Sequence, residues 1–367
     1  MKSIAPKHLL SVSNLSFKGI QHILTRASEY DRKHQIEVPS HNINPSSLPY
    51  YTNGCPPVVV NAFFEPSTRT QTSFESASLR LNTRVINFNY QTSSANKGET
   101  DEDTVRTLAS YGDLLVIRHP ENDFVEKIAD KLPISVINAG NGNGEHPTQA
   151  LLDLYTINKY YETELRDGEL INILFVGDIK HSRTVHSLIE ILHHFPNVKI
   201  ELLPNKGREG DTSLLTSISI NHNQEFSSIV IDKKQCDISK YDVIYMTRSQ
   251  NEREKNHLGS VFGGSEFVIN NQSMESVKDT AIIMHPLPRN DEISKEVDDD
   301  PRCVYFEQMK NGVFVRMALI ELFTVAKKNK FYLPIDTRYE DLFNTKGSTM
   351  TVNSFIGFEK VFNSHSY

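Results

Sequence analysis

Ser67-Thr68-Arg69-Thr70 sets three hydroxyls and a guanidinium side by side, just after the apolar run Pro57–Phe64. An amphipathic pattern follows, with Phe74, Ala77 and Leu81 on one face. At a helix N-terminus such donors, with the free N–H groups and the macrodipole, suit an oxyanion such as phosphate. A plain helix cap with a solvated arginine fits the same four residues. Arg118 ends the apolar stretch Asp113–Ile117, Arg183 follows Gly177-Asp178, and Arg248 follows Asp242–Thr247. Singly, Arg118 reads equally well as a surface side chain, and Arg183 and Arg248 each more often read as solvated ones. Four arginines at or just beyond strand ends, in a chain of net charge −7, read as a grip on one or two anionic ligands. His146-Pro147-Thr148-Gln149 opens a further helix. Its histidine could donate to a carbonyl oxygen and its glutamine could bond an amide, or the histidine could simply cap.

Several chemistries are excluded. No GxGxxG follows a strand, since Gly140, Gly142 and Gly144 have the wrong spacing, and there is no GxxxxGK[ST] or HExxH. No acidic metal loop is present, and the doublet His193-His194 reads as surface rather than metal-binding. Lys and Arg number 39 against 46 Asp and Glu, which leaves no basic footprint for nucleic acid. Cys55, Cys236 and Cys303 stand far apart, as in a reducing compartment. No apolar run approaches the ~20 residues of a membrane span. The N-terminus carries neither a signal nor a transit pattern, so the expected location is cytoplasmic.

The elements that must position these residues alternate. Helical spacing covers 14–34, 67–81, 101–111, 147–161, 184–194 and 309–326. Strands are expected at 57–64, 85–89, 113–118, 134–138, 171–176, 199–203, 242–247 and 281–284. Two runs of β/α alternation predict an α/β protein of two domains, each a mostly parallel sheet flanked by helices, with the C-terminal helix returning to the first domain. The expected division is 1–150 plus about 305–330, then 151–304, hinged near 150–165. Residues 36–57 read as a long loop and 331–367 as an unassigned extension.

Phe63-Phe64-Glu65-Pro66-Ser67-Thr68-Arg69-Thr70, Lys97-Gly98-Glu99, Arg118-His119-Pro120, His146-Pro147-Thr148-Gln149, Tyr245-Met246-Thr247-Arg248 and His285-Pro286-Leu287-Pro288-Arg289, in that order and spacing, resemble the catalytic chains of aspartate carbamoyltransferases from about residue 7 to 330. Ornithine carbamoyltransferases are similar but typically carry His-Cys-Leu-Pro where this chain has His285-Pro286-Leu287-Pro288. The resemblance implies transfer of a carbamoyl group from carbamoyl phosphate to L-aspartate, an early step of pyrimidine synthesis, without metal or cofactor. It implies that Ser67, Thr68, Arg69 and Thr70 hold the phosphate, that Arg118 bonds phosphate and carbonyl oxygen, and that His146 polarises that carbonyl. Gln149, with the backbone carbonyls of Leu287 and Pro288, would take the carbamoyl amide. Arg183, Arg248 and Gln250 would bind the aspartate carboxylates. Ser93 and Lys97 would arrive from a neighbouring subunit, which implies a homotrimer with shared active sites. An ornithine-type transferase or a non-catalytic scaffold are the alternatives, and a regulatory chain or partner enzyme is left open.

Overall fold

The computed structural model describes residues 7–36, 56–93, 97–142, 144–205, 229–231, 236–248 and 267–328. Residues 37–55 of the long connection, the extension 331–367 and Gln250 lie outside the described residues. The first half runs α1 (Phe17–Ile36), β1 (Val58–Phe63), α2 (Thr68–Arg80), β2 (Arg84–Asn89), α3 (Asp101–Ala109), β3 (Leu114–His119), α4 (Phe124–Ala129) and β4 (Ser135–Asn141). Its strands form a parallel sheet in the order β2-β1-β3-β4. The strands β1, β3 and β4 are buried almost throughout, as apolar runs require when helices cover both faces. The terminal strand β2 is mostly exposed, and Leu79, Ile86 and Tyr111 stand out as exposed apolar side chains in this half.

The bent helix α5 (Pro147–Asp167) leads to the second sheet. There β5 (Ile171–Gly177), α6 (Arg183–Leu192), β6 (Val198–Pro204), β7 (Ile229–Val230), β8 (Val243–Met246), the single turn α7 (Asn271–Met274) and β9 (Ile282–Met284) follow. The order is β7-β6-β5-β8-β9, again parallel. At Tyr161 the backbone of α5 leaves the helical region (φ −129°, ψ 36°), and the phenol donates to the carbonyls of Asp242 and Thr280 at 2.8 and 2.6 Å. The bend thus falls inside the stretch expected to hinge and is anchored to the second sheet.

The closing helix α8 (Tyr305–Lys328) packs against α1, α2 and α5. Glu321 accepts from Arg26 Nη2 at 2.7 Å and from the Tyr30 hydroxyl at 2.8 Å, tying α8 to α1. Asn311 donates to Thr156 Oγ1 at 3.0 Å, tying it to α5. The return of the last helix to the first sheet's layer is therefore as expected. One apolar cluster runs from Leu9 through Phe74, Leu151 and Phe314 to Phe175 and Tyr245, so α5 and α8 share a core with both sheets. The sequence pattern misses α4 because its six residues are too few to show a helical period. His193, expected at the surface, is buried, because the end of α6 packs where Phe17 meets Phe195 and stacks on His194.

Candidate active site

In each sheet the strand order reverses direction about a pair of central strands, β1/β3 in the first and β5/β8 in the second. Open parallel sheets form a ligand crevice beyond the carboxyl ends of the strands at such a point. The connections that leave β1, β3, β4, β5, β8 and β9 carry nearly every residue singled out from the sequence.

Ser67 stands at the N-cap of α2, yet its side chain makes no capping hydrogen bond. The cap reading of Ser67 therefore fails, and its hydroxyl is left for another acceptor or donor. The first turn of α2 contains no acid, whereas that of α3 contains Asp101, Glu102 and Asp103. The positive end of α2 is thus uncompensated, as an anion site requires. Thr68 and Arg69 are exposed in that turn and Thr70 is buried. Partial desolvation of its guanidinium and the neighbouring charge of Arg248 both push the Arg69 pKa down, so the two guanidiniums lie within repulsive range of each other.

Glu65, at the end of β1, organises the other two arginines. Its Oε1 lies 2.7 Å from Arg118 Nε and 3.5 Å from Arg183 Nη2. Arg118 comes from β3 and Arg183 from the first turn of α6, so one carboxylate binds cations from both halves of the molecule. Arg183 Nη1 also donates to the Gly142 carbonyl at 2.5 Å. Between the two guanidiniums runs Gly140, with φ +116°. A Cβ there would sit 3.1 Å from Arg118 Nη1 and 3.4 Å from Arg183 Cζ, a tight fit, and the positive φ itself favours glycine. Asp178 shapes the turn that delivers Arg183, accepting from the His181 N–H at 3.1 Å.

His146 is buried directly before Pro147, and its N–H donates to Ser187 Oγ at 3.2 Å. Burial, together with the charges of Arg118, Arg183 and Arg316, holds its pKa well below the usual histidine value, so the ring is neutral at pH 7. Thr148 Oγ1 lies 3.4 Å from its Nδ1. With that hydroxyl donating, the ring proton resides on Nε2. Gln149 turns its Nε2 onto Asp153 Oδ1 at 2.9 Å. At the end of β9, Leu287 adopts φ +51° and its N–H donates to His285 Nδ1 at 2.8 Å. The other ring nitrogen of His285 then donates to Glu292 Oε1 at 2.8 Å, which fixes the tautomer. The Leu287–Pro288 peptide is cis.

The structure therefore brings Arg118 and Arg183 onto one carboxylate with His146 in their electrostatic range, and separately sets Arg69 within electrostatic range of Arg248. Lys97 is exposed and, among the described residues, joins this group by neither hydrogen bond nor ion pair. The Ser93 hydroxyl donates to Tyr90 O, 2.7 Å away within its own turn. Sequence reasoning gave no role to Glu65, Asp153 or Arg316. Each had a signal: an acid at a strand end among cations, a carboxylate one helical turn after Gln149, and a charge inside the apolar stretch Val313–Leu319 of α8. Arg316 is buried and stacks over Phe74, its charged centre 5.1 Å from the ring centroid.

Residues 7–159 match the carbamoyl-P binding domain, and residues 169–323 the Asp/Orn binding domain, of the aspartate/ornithine carbamoyltransferase family. The chain is 42% identical over 265 residues to the multifunctional protein pyr-3 of Neurospora crassa, covering 72% of this chain and 14% of that protein. It is 38% identical over 320 residues to the aspartate carbamoyltransferase catalytic subunit of Alkaliphilus oremlandii, covering 86% and 90%. Among solved structures, aspartate transcarbamoylase from Trypanosoma cruzi in complex with carbamoyl aspartate and phosphate superposes with a TM-score of 0.72 at 37% identity, covering 87% of this chain and 96% of that one.

Proposed function

Given that the chain belongs to the aspartate/ornithine carbamoyltransferase family, we propose that it transfers the carbamoyl group of carbamoyl phosphate to the amine of L-aspartate, giving N-carbamoyl-L-aspartate and phosphate for pyrimidine synthesis. The observation that carries this reading is the cluster of guanidiniums around a buried neutral histidine at the strand ends of both sheets. Two acidic substrates need such a cleft, and a cationic amine acceptor such as ornithine does not.

In this proposal Ser67, Thr68, Arg69 and Thr70 hold the phosphate at the N-terminus of α2, and Arg118 spans phosphate and carbonyl oxygen. His146 donates from Nε2 to that oxygen. Gln149 and the carbonyls of Leu287 and Pro288 receive the carbamoyl amide. Arg183, Arg248 and Gln250 take the aspartate carboxylates. The α-amine attacks the carbonyl carbon, negative charge grows on its oxygen, and phosphate departs, able to take up the proton that the amine loses. Catalysis then comes from placement and from preformed donors rather than from a covalent intermediate. A neutral imidazole suits the donor role, because an imidazolium buried beside three arginines would lose its proton to solvent.

We assign the phosphate side to 1–150 with 305–330 and the aspartate side to 151–304, with a cytoplasmic location. Repulsion between Arg69 and Arg248 is relieved when an anion lies between them, so substrates themselves favour closure of the two halves. Small-angle scattering should show a smaller radius of gyration with a bisubstrate phosphonate. An unchanged radius at saturation counts against closure.

The chain is further proposed to act as a homotrimer in which Ser93 and Lys97 complete a neighbour's site. The mostly exposed edge strand β2 with Ile86, and the exposed Leu79 of α2 and Tyr111 after α3, are surface available for that assembly. Arg69→Ala and Lys97→Ala proteins should each be nearly inactive, and mixing them should restore activity. Failure of mixing ends the shared-site proposal. The function itself is tested by phosphate release from carbamoyl phosphate with L-aspartate, L-ornithine or no acceptor. Release driven by ornithine rather than aspartate would overturn it.

A further inference from the structure

Asp153 lies on α5 one turn beyond Gln149 and is wholly buried. Three donors from three elements converge on it. Gln149 Nε2 on α5 and Gln308 Nε2 on α8 both donate to Oδ1, at 2.9 and 2.6 Å, and the Tyr245 hydroxyl on β8 donates to Oδ2 at 2.7 Å. The side-chain amides are two-faced groups, with a donor NH2 and an acceptor oxygen, and nothing in their own shape decides which way they point. An oxygen that only accepts decides it for both. Gln308, with its NH2 committed to Asp153, accepts the His285 N–H on Oε1 at 2.9 Å and so holds the chain that leads into Leu287 and Pro288. Gln149, with its NH2 committed likewise, has its Oε1 turned away from Asp153, and that oxygen has no hydrogen-bond partner among the described residues.

We propose that Asp153 is a positioning residue that locks Gln149 with its carbonyl oxygen toward the substrate and, through Gln308 and His285, sets the Leu287–Pro288 carbonyls, so that the site offers only acceptors to the NH2 of the carbamoyl group. This rests on the reading of Gln149 as partner of the carbamoyl amide. The consequence is specificity. Acetyl phosphate has the same outline with a methyl in place of the NH2, and it leaves buried acceptors unmet. The lock survives protonation of the carboxyl, because a proton on Oδ2 can be given to the Tyr245 oxygen while Oδ1 still accepts from both amides. Burial pushes the Asp153 pKa up to about 7, so both forms are present near neutrality.

The test is the inhibition constant of acetyl phosphate divided by the Michaelis constant of carbamoyl phosphate, with L-aspartate saturating. Wild type should show a ratio of at least ~10. Asp153→Asn copies the protonated acid, with Oδ1 accepting and the amide NH2 facing Tyr245, and should stay within about threefold of wild type. Asp153→Leu removes the acceptor, and its ratio should fall about tenfold, to the value of Gln149→Met. The double variant should fall no further. Should the leucine protein not fold, Asp153→Ser, too short to reach both amides, takes its place with the same expectation. A lower kcat with an unchanged ratio in the leucine or serine protein would mean a merely structural role and overturn the proposal. A wild type that does not discriminate, or a Gln149→Met protein that keeps the wild-type ratio, would instead overturn the reading of Gln149 on which it stands.

Discussion

Glu65→Gln removes one charge from the centre of the cleft while keeping the side chain's shape and one acceptor oxygen. Glu65 faces two guanidiniums, at 2.7 Å on Arg118 and 3.5 Å on Arg183, and its own side chain is 26% exposed. Bare Coulomb attraction at ~4 Å in a surface-like medium is about 4 kcal/mol per pair, but desolvation and solvent screening offset most of it. The difference between a charged and a neutral acceptor is a better measure, at about 1 kcal/mol per contact. Two contacts give about 2 kcal/mol, and kcat/KM for both substrates should fall roughly 30-fold. The sign of the effect on phosphate is opposite. Glu65 is a negative charge near the anion site, so inorganic phosphate should bind as tightly as in wild type or more tightly. Steady-state kinetics with both substrates varied and phosphate as product inhibitor separate the two effects, and a urea titration confirms that folding is intact. A kcat/KM within threefold of wild type refutes the argument that this carboxylate aligns the arginines. A weakening of phosphate in step with kcat refutes the sign.

His146→Ala removes one preformed donor and should lower kcat by ~10²–10³, about 3–4 kcal/mol, with folding retained by circular dichroism. Because burial and three guanidiniums lower the His146 pKa, the ring should show neutral nitrogen shifts by ¹⁵N NMR down to pH 6.5 and below; titration at the ordinary value would refute it. The folded chain holds a proton on Asp153 up to about pH 7 and the unfolded chain loses it near pH ~4, so this group makes stability fall as pH rises between those values. Urea unfolding of Asp153→Asn against wild type should therefore show the variant gaining relative stability from pH 4.5 to 7.5, and a constant difference would count against it. Gly140→Ala combines a strained φ with a Cβ pressed on Arg118 and should cost about 1–3 kcal/mol of stability by denaturant titration along with activity.

The strand ends and their cations were legible because both signals are local. An apolar β-branched run such as Val58–Phe63 announces a buried strand, and whatever follows it must sit at the sheet's rim. Arg69, Arg118, Arg183 and Arg248 could be placed at one rim or another by that rule alone. What the rule lacks is a way to say which rim side chains meet. Arg118 and Arg183 lie 65 positions apart in sequence by their numbers, and only the folded contact between the two halves puts them on one carboxylate. Acids that set the geometry were harder still. Asp153 reads as one more polar residue on the α5 face that carries Gln149 and Thr156, and its partners Tyr245 and Gln308 come from β8 and α8. A buried acid is tolerable only when satisfied from several directions, so its partners must be distant in sequence. The residues proposed to bind substrate were visible from their own neighbours because they occupy loop openings. The residues that aim them are invisible for the converse reason: aiming requires burial, and burial requires contacts that only the finished fold provides.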